Sequence, residues 1–300
     1  SKTLFLNKNS FLNCNNIDED HRHICKQNFL NFISNKKKNG NYLKNDNTVM
    51  PHILVRNVFK NYNDYHENNS MALLNMQWNG LMKTLETGNF MRGSNCFPCI
   101  DVSPSMMTDN STPLHCAIGL GLACAHLCKH NRAFTFSSNP EWIQYDQTET
   151  FVDRVYKTRG SGWGSTTNIH KMFRRILDAC LTSTEQHEQV PQSEIDNTCL
   201  IVFSDMQFDC NETNKDEKMF DDIRREYKDA GYTNIPFLVF WNLRSTDTFP
   251  SIEKSENMIQ LSGNSSCLLE IFMKTELKDL KTLENWDILK QILDNQRYII

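Results

Sequence analysis

Apolar residues recur along this chain in two rhythms that change near residue 90. In the first part, Ile53, Leu54, Val55, Val58 and Phe59 form a short stripe behind Pro51. Leu74, Trp78, Leu81, Met82 and Leu85 then form the buried face of a helix that Ser70 would cap and that would end near Gly88. Residues 1–49 show no defensible period. In the second part, short apolar runs recur at Cys96–Ile100, Ala133–Phe136, Cys199–Phe203, Pro236–Trp241 and Met258–Leu261, each too short for a helix. Helical periods fall between them. The strongest is Ile169, Met172, Phe173, Ile176, Leu177, Cys180 and Leu181; a narrower one is Met219, Phe220, Ile223 and Tyr227, and a terminal one runs from Leu280 to Leu293. The segment from Pro113 to Lys129 is apolar nearly all round, which predicts a helix buried on most sides, with Thr112 as its N-cap and Pro113 at its first position.

Continuous apolar strands joined by helices predict an α/β fold with a mostly parallel sheet covered on both faces. The expected organisation is a smaller helical or irregular region over residues 1–90 and an α/β domain with a C-terminal helix over residues 91–300. In such sheets ligands gather beyond the carboxyl ends of the strands. Chemistry is therefore sought directly after each apolar run.

The first run leads into Asp101-Val-Ser-Pro-Ser-Met106. In extended chain, residues two apart point the same way, so Asp101, Ser103 and Ser105 converge on one side. One carboxylate and two hydroxyls form a hard-oxygen set suited to Mg2+ or Mn2+ and not to zinc. The run ending at Phe203 is followed by Ser204-Asp205, which places a second carboxylate at the same edge. Between them, a Gly-rich loop from Arg159 to Asn168 precedes the strongest amphipathic helix, and Thr166 or Thr167 would add a hydroxyl there.

This order of D-x-S-x-S, Thr and Asp resembles the metal-ion-dependent adhesion site of von Willebrand factor A domains, over roughly residues 95–270. The stretch from Trp78 to Met106, with Met50-Pro-His-Ile-Leu-Val55 ahead of it, is similar to a family from plants, fungi and giant viruses that carries a helical region before a C-terminal von Willebrand A domain. That layout is in turn similar to the Ro-type (TROVE) RNA-binding proteins. The resemblance implies a Rossmann-like sheet, with Ser103, Ser105 and Thr167 as hydroxyl ligands and Asp101 and Asp205 acting through bound water. It also implies a partner carboxylate at the sixth coordination position. Two departures stand out: Pro104 occupies the place where the family usually has Gly, which predicts a tighter loop or a weaker metal, and Pro98 lies in a strand expected to be central.

Other motifs point elsewhere and are set aside. Cys96 and Cys99 are three apart in a strand and would face opposite sides. The pairs Cys124/Cys128 and His126/His130 lie on different sides of one helix, so core thiols and partly exposed imidazoles are expected. Cys14, His21, His23 and Cys25 match no standard zinc spacing. The loop Gly160-Ser-Gly-Trp-Gly164 has no following Lys and is not a P-loop, and Ser161 is not in a nucleophile elbow. No catalytic set emerges, and no enzyme activity is expected.

Composition adds less. The 300 residues carry a net charge of −4, which does not suggest a nucleic-acid binder, but residues 1–90 hold 11 basic and 7 acidic side chains. The run Lys36, Lys37 and Lys38 in an Asn-rich stretch reads as a solvated loop and as the bias of a skewed genome, such as a giant virus would have. Eleven scattered Cys, five of them (Cys116, Cys124, Cys128, Cys180, Cys199) in apolar surroundings, fit a reducing compartment, with the cytoplasm as the default. The longest apolar run, Ala117 to Leu127, is about half of what a bilayer-spanning helix needs, and no charged-then-apolar leader opens the chain. The first residue is Ser, as in a processed or trimmed piece. Three functions compete: a metal-dependent protein-interaction module, an RNA-binding protein of Ro-like layout using the basic helical part, and a structural viral component with a vestigial metal site.

Overall fold

The structure is a computed structural model that describes residues 19–38, 49–60, 68–86, 95–136, 140–161, 168–182, 189–207, 215–244 and 257–263, with isolated positions beyond. The predicted C-terminal helix and most of residues 1–49 lie outside the described residues.

Three helices come first: α1 (Glu19–Lys38), α2 (Pro51–Lys60) and α3 (Asn68–Leu85). The lysine run expected in a loop closes α1 instead. Ser70 lies inside α3, two residues past its start, so it is not the cap. The α/β part follows as β1 (Asn95–Asp101), a 3-10 turn (Pro104–Met107), α4 (Thr108–Leu127), β2 (Arg132–Phe136), β3 (Glu141–Gln144), α5 (Phe151–Gly160), α6 (Ile169–Leu181), α7 (Gln192–Asp196), β4 (Thr198–Ser204), α8 (Lys215–Asp229), β5 (Phe237–Asn242) and β6 (Met258–Ser262). The six strands form one sheet in the order β3-β2-β1-β4-β5-β6, and only the β2–β3 pair is antiparallel. All five apolar runs became strands. Among the described residues, no helix is long and apolar enough to cross a membrane.

Pro98 does sit in a central strand. Its partner on β4 is Ile201, whereas the ladder to β2 begins only at Cys99. At Pro98 the strand therefore has a neighbour on one side alone, and the missing N–H interrupts no ladder on the other.

Two apolar layers flank the sheet. On one face, α4 lies against β1 and β4, and α2 and α3 pack beyond it into the same core, which joins Leu54, Val55, Leu74 and Trp78 to Ile118, Leu122, Ile201 and Trp241. On the other face, α6 and α8 supply Met172, Phe173, Ile176, Phe220 and Tyr227 against Cys99, Leu200, Val202 and Phe240. Helix α4 is apolar all round because it is covered on two sides. A Cβ at Gly119 would come within 2.8 Å of the Pro51 backbone on α2, while one at Gly121 would meet the Ile100 side chain on β1 at 2.5 Å. Two residues are about 200° of helical rotation, so these glycines admit close neighbours on opposite sides.

The start of α4 is unusual. Asp109, Asn110 and Ser111 take left-handed backbone, with φ of 52°, 58° and 60°, so the right-handed helix begins only after them. Thr112 does not cap it as expected; its hydroxyl donates back to the Asp109 carbonyl at 2.6 Å.

Candidate functional site

The carboxyl ends of β1, β4 and β5 meet at the middle of the sheet, and the polar residues that follow them form one buried cluster. Asp101 closes β1 and is completely buried. Its Oδ1 accepts the backbone N–H of Ser103 at 2.9 Å, which turns the chain sharply enough to set the Ser103 and Ser105 hydroxyls 3.0 Å apart. Met106 N–H donates to the Ser103 carbonyl at 3.1 Å and completes the 3-10 turn. Pro104 is the first residue of that turn, where a fixed φ near −65° suits the path and no N–H is required. Both hydroxyls lie side by side within the turn.

The second loop is tied to the first. Ser204, the last residue of β4, donates its hydroxyl to Asp101 Oδ2 at 2.5 Å and accepts the Met206 N–H at 3.0 Å. Asp205 is also fully buried; its Oδ1 accepts the Gln207 N–H at 3.1 Å. Among the described residues its Oδ2 has no hydrogen-bond partner, and Arg244 Nη1, just past β5, stands 4.0 Å away. Arg244 is held there by its own N–H, which donates to Asn242 Oδ1 at 2.9 Å.

Both loops carry strained backbone beside the carboxylates. Met206 has φ of 61°, and the left-handed run from Asp109 to Ser111 follows the first loop. Each such residue costs about 1 kcal/mol or more, and strain of this kind concentrates where a site over-determines the chain.

The charge balance is equally uneven. Burial pushes the Asp101 carboxyl up to about 6; hydrogen bonds from Ser204 and Ser103 pull it back, and the neighbouring Asp205 charge adds to the rise. Two buried carboxylates, one with an orphaned oxygen, beside two adjacent hydroxyls form a donor set that fits a small hard cation. Among the described residues, no three His, Cys, Asp or Glu side chains are close enough to share an ion, so a cation here would depend on hydroxyls and water as well as on the two aspartates.

Of the five residues read from the sequence, Asp101, Ser103, Ser105 and Asp205 come to this one edge. Thr167 lies outside the described residues; its neighbour Asn168 caps α6, accepting the Lys171 N–H at 2.7 Å. Ser204 and Arg244 were missed as site residues. Their signal was position alone, since each sits at or just past a strand end at the edge where ligands gather.

The Cys96/Cys99, Cys124/Cys128 and His126/His130 motifs belong to packing, whereas Cys14 and the side chains of His21 and His23 lie outside the described residues. Cys96 packs with Cys124, Cys128 and Cys199 in the core beneath α4, whereas Cys99 belongs to the opposite core. Burial raises the Cys124 and Cys199 thiols well above their usual range, so they remain protonated hydrophobes. His126 meets Glu86 at 3.0 Å, and His130 stacks on Phe97 at 5.4 Å.

The chain belongs to the family described as Domain of unknown function (DUF7788), whose pattern matches residues 95–296, beginning at the first residue of β1. It is 28% identical over 285 residues to Uncharacterized protein L728 of Acanthamoeba polyphaga mimivirus, an alignment covering 92% of this chain and 46% of that protein. The chain thus spans about half the length of the curated relative it matches. Among solved structures, it is similar to the Deinococcus radiodurans RO (RSR) protein over 69% of this chain and 38% of that one, with 12% identity and a TM-score of 0.43.

Proposed function

We propose that this member of the DUF7788 family is a non-enzymatic, metal-dependent protein-interaction module of the von Willebrand A type. The observation that carries the reading is the fully buried Asp205 Oδ2 beside the Asp101–Ser103–Ser105 turn, which among the described residues accepts no hydrogen bond and has only the long Arg244 contact at 4.0 Å. A buried carboxylate oxygen without a donor is costly, and a cation is the group that would satisfy it while relieving the raised carboxyl of Asp101. Mg2+ or Mn2+ is the ion its donors suit. Ser103 and Ser105 would hold it directly, Asp101 and Asp205 chiefly through water, and the resemblance adds Thr167. A carboxylate on a protein partner would complete the coordination, since Mg2+ keeps open or water-filled positions readily.

The test is a thermal-unfolding titration with Mg2+ and with Mn2+ after chelator stripping, on wild type and on Asp101→Ala. A ligand that binds only the folded state stabilises it by about 2.7 kcal/mol at roughly a hundredfold its Kd. Wild type should gain stability with the metal and the variant should not. A wild-type melting curve indifferent to both ions would refute the metal site. Capture of a protein partner that persists in EDTA would refute its role in binding.

A second reading is an RNA-binding component using the basic helical part. Its support is the excess of 11 basic over 7 acidic side chains in residues 1–90. It requires retention on RNA at low salt that falls steeply as salt rises.

A further inference from the structure

The two buried aspartates at the carboxyl edge are unequally provided for. Asp101 has both carboxylate oxygens engaged, by the Ser103 N–H and by the Ser204 hydroxyl. Asp205 has one engaged, by the Gln207 N–H, and its Oδ2 is, among the described residues, the one buried carboxylate oxygen that accepts no hydrogen bond. Every donor to the pair is a neutral N–H or O–H. Among the described residues, Arg244 is the one cationic side chain within ion-pair distance of either carboxylate, with Nη1 4.0 Å from Asp205 Oδ2.

That contact is an ion pair that stops short of a hydrogen bond. Its setting is built by the backbone. Asn242 ends β5 and is fully buried, and its Oδ1 accepts the Arg244 N–H at 2.9 Å. The Leu243 N–H donates to the Ser204 carbonyl, also at 2.9 Å. The chain leaving β5 is thus fastened to the residue directly before Asp205, and Arg244 is anchored beside the carboxylate while its side chain keeps its freedom. The Asp205 side chain is wholly buried, whereas that of Arg244 is 27% exposed, so one end of the pair lies in the core and the other meets water. A carboxylate taken out of water needs positive charge near it. Here that charge is on a flexible tether that can also withdraw into solvent.

We propose that Arg244 is a built-in competitor for the cation site: it answers the charge of Asp205 while no metal is bound, and a divalent ion must displace it into solvent to enter. The inference rests on the metal reading above and adds to it a control on loading. Guanidinium and divalent ion serve the same charge and cannot both lie against Oδ2, because like charges a few ångströms apart repel strongly where little water separates them. At low metal concentration the chain closes its own site. The concentration at which the site loads is then set by the Arg244 tether as well as by the oxygen ligands. Arginine suits the role, since its guanidinium is always charged and is more weakly hydrated than an ammonium, so it loses little on leaving water for a carboxylate.

The experiment is calorimetric titration of the full metal-free chain with Mn2+, as wild type, Arg244→Gln and Arg244→Lys, with a melting curve of each in EDTA. Arg244→Gln removes the competitor and should bind Mn2+ about tenfold more tightly than wild type. Arg244→Lys keeps the charge and should stay near wild type. Without metal, Arg244→Gln should melt lower than wild type, and that loss should vanish in a chain carrying Asp205→Asn, which removes the charge Arg244 answers. The same melts establish that each variant folds. Equal or weaker Mn2+ binding by Arg244→Gln, Arg244→Lys behaving as Arg244→Gln, or a metal-free melting temperature that Arg244→Gln leaves unchanged or lowers equally in both backgrounds would overturn the proposal. Failure of the metal reading looks different: neither wild type nor any variant binds Mn2+, and the competition falls with it.

Discussion

The two faces of the sheet are covered by different means. On one, α6 and α8 each present an apolar stripe to the strands and a charged side to water, and the charged sides are joined through Arg174 and Glu226. On the other, α4 has the sheet beneath it and α2 above it, so little of it is left for charge beyond His126 near its end. The difference teaches that helical periodicity reports the number of layers as much as the presence of a helix. One covered side gives a clear stripe; two give a continuous apolar run.

The largest effects should come from the two-sided helix. Gly119→Ala brings a Cβ against the Pro51 backbone, which cannot rotate away, and should destabilise the fold by about 1–3 kcal/mol despite the better helix propensity of Ala. Gly121→Ala meets the Ile100 side chain instead. Chemical denaturation should show that Ile100→Ala partly restores Gly121→Ala and does nothing for Gly119→Ala. Equal rescue of both would mean that α4 is not held between two layers.

A smaller effect belongs to His115 on the same side. Its imidazole titrates near 4 in the fold against about 6.5 when unfolded, so between those values the unfolded chain binds more protons. Stability from this residue is intact above about pH 6.5 and is lost as pH falls toward 4, by up to about 3 kcal/mol. Asp101, raised to about 6, works in the opposite direction, favouring the fold as pH falls from about 6 toward 4. The difference between wild type and His115→Gln across pH 4–7 isolates the histidine. A difference that does not change with pH would show that the ring is not held neutral.

The smallest effect is expected on the single-layer face. Glu226→Gln breaks a two-point ion pair with the exposed Arg174, and a contact with His170, at a half-buried surface position where screening leaves little net stabilisation. Its melting temperature should match wild type within error. A clear loss would mean that this exterior is less solvated than its exposure implies.

Much of this architecture was legible because β1, β2, β4, β5 and β6 are apolar runs bounded by polar residues. The site carboxylates and serines followed from what comes directly after two of those runs. Strand β3 was not legible: it is a four-residue antiparallel edge with one buried side chain, Ile143, among exposed or half-exposed ones. Helix α5 escaped because its buried face includes Arg154 and Thr158, which an apolar period does not count. Ser204 was hidden by belonging to a strand, since its hydroxyl matters only once Asp101 is across from it.

The contact between Pro51 and Gly119 also bears on the order in which the protein is made. A ribosome delivers α2 and α3 before α4 exists, so Leu54, Val55, Val58, Leu74 and Trp78 emerge with the partner of their apolar faces still untranslated. Until the segment through Leu127 has followed them, those helices are nascent chain exposed to chaperones and to one another, and the sheet whose face they help to cover is also what completes them.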